Sequence, residues 1–132
     1  MKKHVLFAED DASLREVFEI EFSEIFRISL AATVDSALQI ISGSAQIDYL
    51  VTDLDMSDEA GRSGLEIAKN LRLRFSTTPV VLATGSSLSN IEFNILRDEL
   101  NGVLLAKPYQ SSELIEALSD ARLAMQSFED RL

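Results

Sequence analysis

Tyr49-Leu50-Val51-Thr52-Asp53-Leu54-Asp55-Met56 is the stretch that decides the fold. Four residues that are apolar or β-branched run straight into a carboxylate, with no alternation of polar and apolar positions. A strand of that kind is covered on both faces, as the strands of a parallel sheet are. Runs of the same character occur on either side of it, at His4–Ala8, Ile28–Ala31, Val80–Ala83 and Val103–Ala106. After each run, apolar residues return at three- and four-residue spacing, the signature of one helical face. Leu14, Val17, Phe18, Phe22 and Ile25 form the first such stripe, and Val34, Ala37, Leu38 and Ile41 the second. Leu65, Ala68, Leu71 and Leu73 follow, then Ile91, Ile95 and Leu96, and finally Leu114, Ile115, Leu118, Leu123 and Met125. Ser13 with Glu16 three residues on, and Ser112 before the last stripe, read as helix starts. Gly43, Gly64 and Gly102 punctuate the segments, Pro79 opens the fourth strand, and Gln126–Leu132 continues the last helix. The alternation predicts a (βα)₅ α/β domain, a doubly wound parallel sheet with helices on both faces.

Bulk composition narrows the function. The 132 residues fit one domain, and 46% hydrophobic content is enough for a real core. Twelve basic against 22 acidic residues leave a net charge of −10, which argues against a nucleic-acid partner. With no cysteine, disulfides, thiol nucleophiles and Cys-based metal sites are excluded. The single histidine, His4, leaves no ordinary Ser-His-Asp triad. No apolar run approaches the ~20 residues of a membrane span, and the opening residues lack a secretory core. The expectation is a cytoplasmic, single-domain protein without membrane insertion and with no output domain in these residues, either a stand-alone unit or one module of a larger protein.

In an open parallel sheet, ligands sit beyond the carboxyl ends of the strands, where the strand order reverses. Glu9-Asp10-Asp11 ends strand one, Asp53-Leu54-Asp55 strand three, Thr84-Gly85-Ser86 strand four and Lys107-Pro108 strand five. Carboxylates gathered at one edge repel unless a cation sits beside them. Oxygen donors without His or Cys suit Mg²⁺. A carboxylate can itself attack a phosphoryl group, while a Lys and a hydroxyl hold the other phosphoryl oxygens. Taken singly, each group has a plainer reading: solvated loop acids, an uninformative Lys-Pro pair, a Thr that caps a loop. The coincidence of compatible groups at four strand ends favours a site.

Glu9-Asp10-Asp11 with Arg15, Asp53-Leu54-Asp55-Met56, Thr84 and Lys107-Pro108 together resemble the signature of response-regulator receiver domains, over essentially the whole chain. The resemblance implies a flavodoxin-like fold and a two-component phosphorelay. In it, Asp53 is the phosphoacceptor, receiving its phosphoryl group from a histidine kinase or a histidine phosphotransfer protein. It implies an Mg²⁺ site of Asp10 as direct ligand, Glu9 acting through water, Asp53 and the backbone carbonyl of Asp55. Lys107 pairs with the phosphoryl oxygens and Thr84 is the hydroxyl that moves toward them. Such a protein is a switch rather than an enzyme. Its partner is expected to dock beside the first helix and the loop at Pro108 and Tyr109, although Tyr109 reads equally as a packed residue.

Several positions depart from the family pattern. Ser57 stands where receivers usually have Pro, and Asp58–Ser63 makes an enlarged loop before Gly64. The aromatic switch position on strand five is Leu104. Ala83-Thr84-Gly85, with no aromatic on strand five, is similar to the receiver subgroup nicknamed FATGUY, whose Phe is Leu82 here. Two other readings stand beside this one. Asp53-Leu54-Asp55 is also the Asp-x-Asp pattern of haloacid-dehalogenase-type phosphatases, with Asp53 as nucleophile and Asp55 as general acid. Those enzymes carry the motif on their first strand, in longer chains, and need no Glu9-Asp10. The third reading is a receiver-like interaction module that is never phosphorylated.

Overall fold

A computed structural model describes residues 1–130; Arg131 and Leu132, the end of the expected helical tail, lie outside them. The strands are β1 (Lys3–Ala8), β2 (Phe26–Ala31), β3 (Tyr49–Asp53), β4 (Val80–Thr84) and β5 (Val103–Ala106). They form a single parallel sheet in the order β2-β1-β3-β4-β5. The helices are α1 (Ala12–Phe22), α2 (Val34–Gly43), α3 (Gly64–Arg74), α4 (Asn90–Asn94) and α5 (Ser111–Asp130), and α4 runs directly into a π-helical segment, Ile95–Leu100. The expected doubly wound α/β architecture is therefore present, in its flavodoxin-like strand order.

Alternation along the strands feeds two cores. On one face, Leu6 and Ala8 of β1, Leu50 of β3, and Val80 and Leu82 of β4 pack with α2, α3 and the π-helical segment. On the other, Val5, Phe7, Val51, Val81 and Leu105 pack with α1 and α5. Phe7 stacks on Phe18 at 4.0 Å between ring centroids, so β1 and α1 are registered by an aromatic pair as well as by area. His4 is buried within the sheet, its Nδ1 against the Gln46 carbonyl and its Nε2 against the Ser29 hydroxyl.

Some boundaries differ from the sequence expectation. Asp11, not Ser13, caps α1: its carboxylate accepts from the Ser13 and Leu14 amides, while Ser13 lies inside the first turn. α5 begins at Ser111, so Ser112 is likewise inside the helix. Ile25 falls beyond the end of α1, and Ile25, Leu14 and Val17 are exposed. So are Leu73, Ile115 and Leu123, because these helices lie over the sheet on a narrower stripe than their apolar residues span, and Ile91, because α4 buries none of its residues. The fourth helix is short and continues as a π-helix, which ends at Asn101 in the left-handed conformation (φ 50°), tied by its side-chain amide to the Ala124 carbonyl.

Candidate functional site

The strand order reverses between β1 and β3, and the side chains at their carboxyl ends converge there. Glu9 follows β1 and is held from both sides: its amide donates to the Ala31 carbonyl (2.9 Å) and its carbonyl accepts from Arg15 Nη1 (2.8 Å). Asp53 is the last residue of β3. Lys107, just past β5, donates through Nζ to Glu9 Oε1 at 2.7 Å and lies 3.3 Å from Asp53 Oδ2. The Lys107–Pro108 peptide is cis. Glu9 and Asp53 are nearly sealed from solvent, at 2% and 4% exposure, whereas Asp10 is exposed. Carboxylate oxygens of Glu9, Asp10 and Asp53 all lie within 4.8 Å of one another.

That geometry is electrostatically unbalanced. Burial pushes the Glu9 carboxyl up to about 7; the hydrogen bond from Lys107 pulls it down, but Asp53 and Asp10 raise it further. For Lys107, burial works against the charge, yet Glu9 and then Asp53 hold its pKa above the ordinary value. The two partners thus respond in the same direction. The ammonium gains from two acids, while each acid has only a share of one ammonium. A divalent cation bound by hard oxygens would remove the imbalance, so the donor set fits Mg²⁺: Asp10 from the solvent side, Glu9 and Asp53 from the buried side. The Asp55 backbone carbonyl belongs to the same turn, fixed by donation from the Asp55 amide to Asp53 Oδ1 at 2.9 Å.

The remaining site residue is placed differently. Thr84, the last residue of β4 and 3% exposed, gives its hydroxyl proton to Asp55 Oδ1 at 3.0 Å. Asp55 Oδ2 accepts the Gly85 amide at 2.9 Å, and Ser86 Oγ reaches Oδ1 at 3.2 Å. The Gly85 amide, more than the hydroxyls of Thr84 and Ser86, holds the Asp55 carboxyl below the ordinary carboxylate range against its partial burial. In the receiver reading, sequence reasoning assigned Asp55 only a backbone carbonyl. The signal for its side chain was the acidic residue two places after Asp53 facing a Thr-Gly-Ser turn on the neighbouring strand.

Around these groups, the enlarged loop is ordered by its own bonds. Ser57 and Ser63 form an antiparallel bridge, and Gly61 takes φ 80°, a conformation suited to glycine. Arg62 binds both Asp58 (2.7 Å) and Asp35 of α2 (2.6 Å), fastening the loop to the second helix. Leu104 is 43% exposed, so the strand-five switch position carries an aliphatic side chain facing outward.

The fold thus brings a buried acidic pair and a lysine together at the switch point of a five-stranded parallel sheet. Residues 5–119 match the family model for the response regulator receiver domain, and the chain belongs to that family. It is a receiver domain of two-component signalling, a class of switches that receive phosphoryl groups from donor proteins. The chain is 30% identical over 114 residues to the regulatory protein VirG of Agrobacterium tumefaciens; the match covers 86% of this chain and 41% of that protein. It therefore spans about two-fifths of the length of that curated relative. Among solved structures it resembles a response regulator receiver protein from Sinorhizobium medicae, at 26% identity and TM-score 0.79, covering 94% of this chain and 97% of that one. A CheY-like receiver domain protein from Methanospirillum hungatei, at 16% identity, shares the fold with TM-score 0.83 over 96% of this chain and 98% of its own. Among the described residues, no helix is long and apolar enough to cross a membrane.

Proposed function

We propose that the chain accepts a phosphoryl group on Asp53, in an Mg²⁺-dependent step in the cytoplasm, from a histidine kinase or a histidine phosphotransfer protein. The observation that carries this reading is the placement of Asp53: a buried carboxylate at the end of the central strand, beside Glu9 and Asp10 and 3.3 Å from Lys107. An Asp53 oxygen attacks phosphorus, the phosphorus–nitrogen bond of the phosphohistidine breaks, and its electron pair stays on the imidazole, which takes up a proton. Lys107 faces the charge that spreads over the phosphoryl oxygens. Mg²⁺, held by Glu9, Asp10, Asp53 and the Asp55 carbonyl, would neutralise the acidic cluster and the incoming phosphoryl oxygens.

The Asp-x-Asp phosphatase reading loses its support, because Asp53 ends the third strand in the middle of the sheet and Asp55 spends its carboxylate on the Thr84–Ser86 turn. For the donor, a groove of about 370 Å³ runs between α1 and the β5–α5 loop, lined by Leu14, Val17, Phe18, Pro108 and Tyr109. Its apolar floor and its position beside Lys107 suit a phosphohistidine-bearing helical bundle. Tyr109 contributes to the groove while half-buried, so both of its expected roles are compatible with its place.

Labelling decides the matter. Asp53→Asn should lose all labelling by acetyl phosphate and by a phosphohistidine donor while keeping the wild-type fold by circular dichroism. Undiminished labelling of that variant, with the phosphate found on Asp10 or Asp55, would overturn the assignment.

A further inference from the structure

The Thr84 hydroxyl has a single proton, and that proton is already committed. It goes to Asp55 Oδ1 at 3.0 Å, with the Ser86 carbonyl and hydroxyl more distant at 3.3 and 3.2 Å. The same carboxylate takes the Gly85 amide on its other oxygen and the Ser86 hydroxyl beside Thr84. Three consecutive residues at the end of β4 therefore converge on one ionised side chain from the neighbouring strand. Hydrogen bonds to a charged acceptor are the strong ones, so this grip is firmer than an ordinary turn. Asp55 is itself tied to Asp53 through its amide, which donates to Asp53 Oδ1 at 2.9 Å. Any group bound at Asp53 thus meets, two residues away, the carboxylate that holds the strand-four hydroxyl.

We propose that the Asp55 carboxylate is a latch that holds Thr84-Gly85-Ser86 in the resting position and competes with the phosphoryl group for the Thr84 hydroxyl. This rests on the reading of Asp53 as phosphoacceptor. Asp55 is a positioning residue: its carboxylate acts through Thr84. A phosphoryl oxygen can bond the Thr84 hydroxyl only after the proton leaves Asp55 Oδ1, and the Gly85 amide and Ser86 hydroxyl resist that movement because they share the carboxylate. The strength of the latch therefore sets how readily the modified state is reached, since a ligand shifts an equilibrium only by its preference for one state over the other. Asp55→Ala removes the carboxylate and leaves the backbone carbonyl in place.

The test uses beryllofluoride with Mg²⁺ as the phosphoryl mimic and measures its affinity in the wild type, Asp55→Ala, Asp55→Asn, Thr84→Ala and the Asp55→Ala/Thr84→Ala double variant. Asp55→Ala should bind the mimic at least about tenfold more tightly, the change expected when one charge-assisted hydrogen bond no longer opposes binding. Asp55→Asn, which has no charge but keeps an acceptor oxygen for Thr84, should fall between wild type and Asp55→Ala. In the Thr84→Ala background, removing Asp55 should bring no gain. An Asp55→Asn affinity equal to that of Asp55→Ala would assign the effect to charge repulsion and overturn the latch, as would a gain that persists without Thr84. Hydrogen exchange at the Gly85 amide, measured in metal-free protein without the mimic, is the separate arm. It should accelerate at least about tenfold in Asp55→Ala, and unchanged exchange would reject the latch. Failure of wild-type protein to bind the mimic, with Gly85 exchange still accelerated by Asp55→Ala, would instead count against the phosphoacceptor reading.

Discussion

Glu9 shows what the acidic site costs when no cation balances it. In the unfolded chain its carboxyl has the ordinary value of 4.5, and in the folded protein it is pushed up to about 7, chiefly by burial. Between those values the folded protein keeps a proton that the unfolded chain has released. The penalty for ionising Glu9 is therefore absent below the lower value and complete once pH has risen through the upper one. Metal-free protein should lose thermal stability as pH rises across that window. Glu9→Gln should flatten the profile, and saturating Mg²⁺ should do the same in the wild type, because a cation favours the charged form. Thermal melts across the window check this; a Glu9→Gln slope as steep as the wild type would contradict it. Asp10 makes the complementary case, being the exposed member of the cluster. Asp10→Ala should weaken Mg²⁺ at least about tenfold and, by relieving repulsion, raise the melting temperature of metal-free protein. Equal Mg²⁺ affinity in calorimetric titration would remove Asp10 from the ligand set.

Among the elements, α3 is positioned by a residue that has no side chain. A Cβ built on Gly64 would run into the Asp53 carbonyl oxygen and lie 2.9 Å from Thr52 Oγ1, so the first turn of α3 rests directly on the strand that carries Asp53. Gly64→Ala must push helix and strand apart, at a cost of about 1–3 kcal/mol, and should weaken beryllofluoride binding in the same variant. Urea melts and a mimic titration check both halves; wild-type values in both would show that the contact relaxes freely. The order and type of the elements were legible because apolar runs and helical stripes differ in period. Helix ends were less so: Asp11 and Ser13 are both good caps, and only the backbone at Asp11 decides between them. Exposed Leu14, Val17 and Ile115 read as core because periodicity identifies an apolar face without saying how much of it the sheet covers. Glu9, Asp10, Asp53 and Lys107 could be named because parallel topology alone brings strand ends together. The grip of Asp55 on Thr84 depends on side-chain rotamers, which no spacing reveals.

Across the whole molecule, stability is spread unevenly around the sheet. α1, α2, α3 and α5 all seat residues in the two cores, and Arg72 ties α3 to the far end by donating to the Thr78 and Leu100 carbonyls at 2.7 and 2.6 Å. By contrast, α4 buries none of its residues, and the π-helical segment after it buries only Leu96 and Leu100. Segments with few buried contacts are those that open first. In receivers generally an aromatic on strand five rotates as the strand-four hydroxyl moves, but here that position is an outward-facing Leu104 with no polar edge. Some other element must differ between the two states, and the weakly seated stretch leading out of Thr84 is the one attached to the hydroxyl. Activation should therefore order or reposition Gly85–Ile95 while Leu104 keeps one rotamer, and Thr84→Ala should allow phosphorylation yet leave Gly85–Ile95 unchanged. Hydrogen exchange with and without beryllofluoride should show altered protection across Gly85–Ile95 in the wild type and none there in Thr84→Ala. Protection changes confined to Asp53–Gly64 would make the Arg62-fastened loop the moving part, since it flanks the same carboxylate and is joined to α2 through an exposed ion pair.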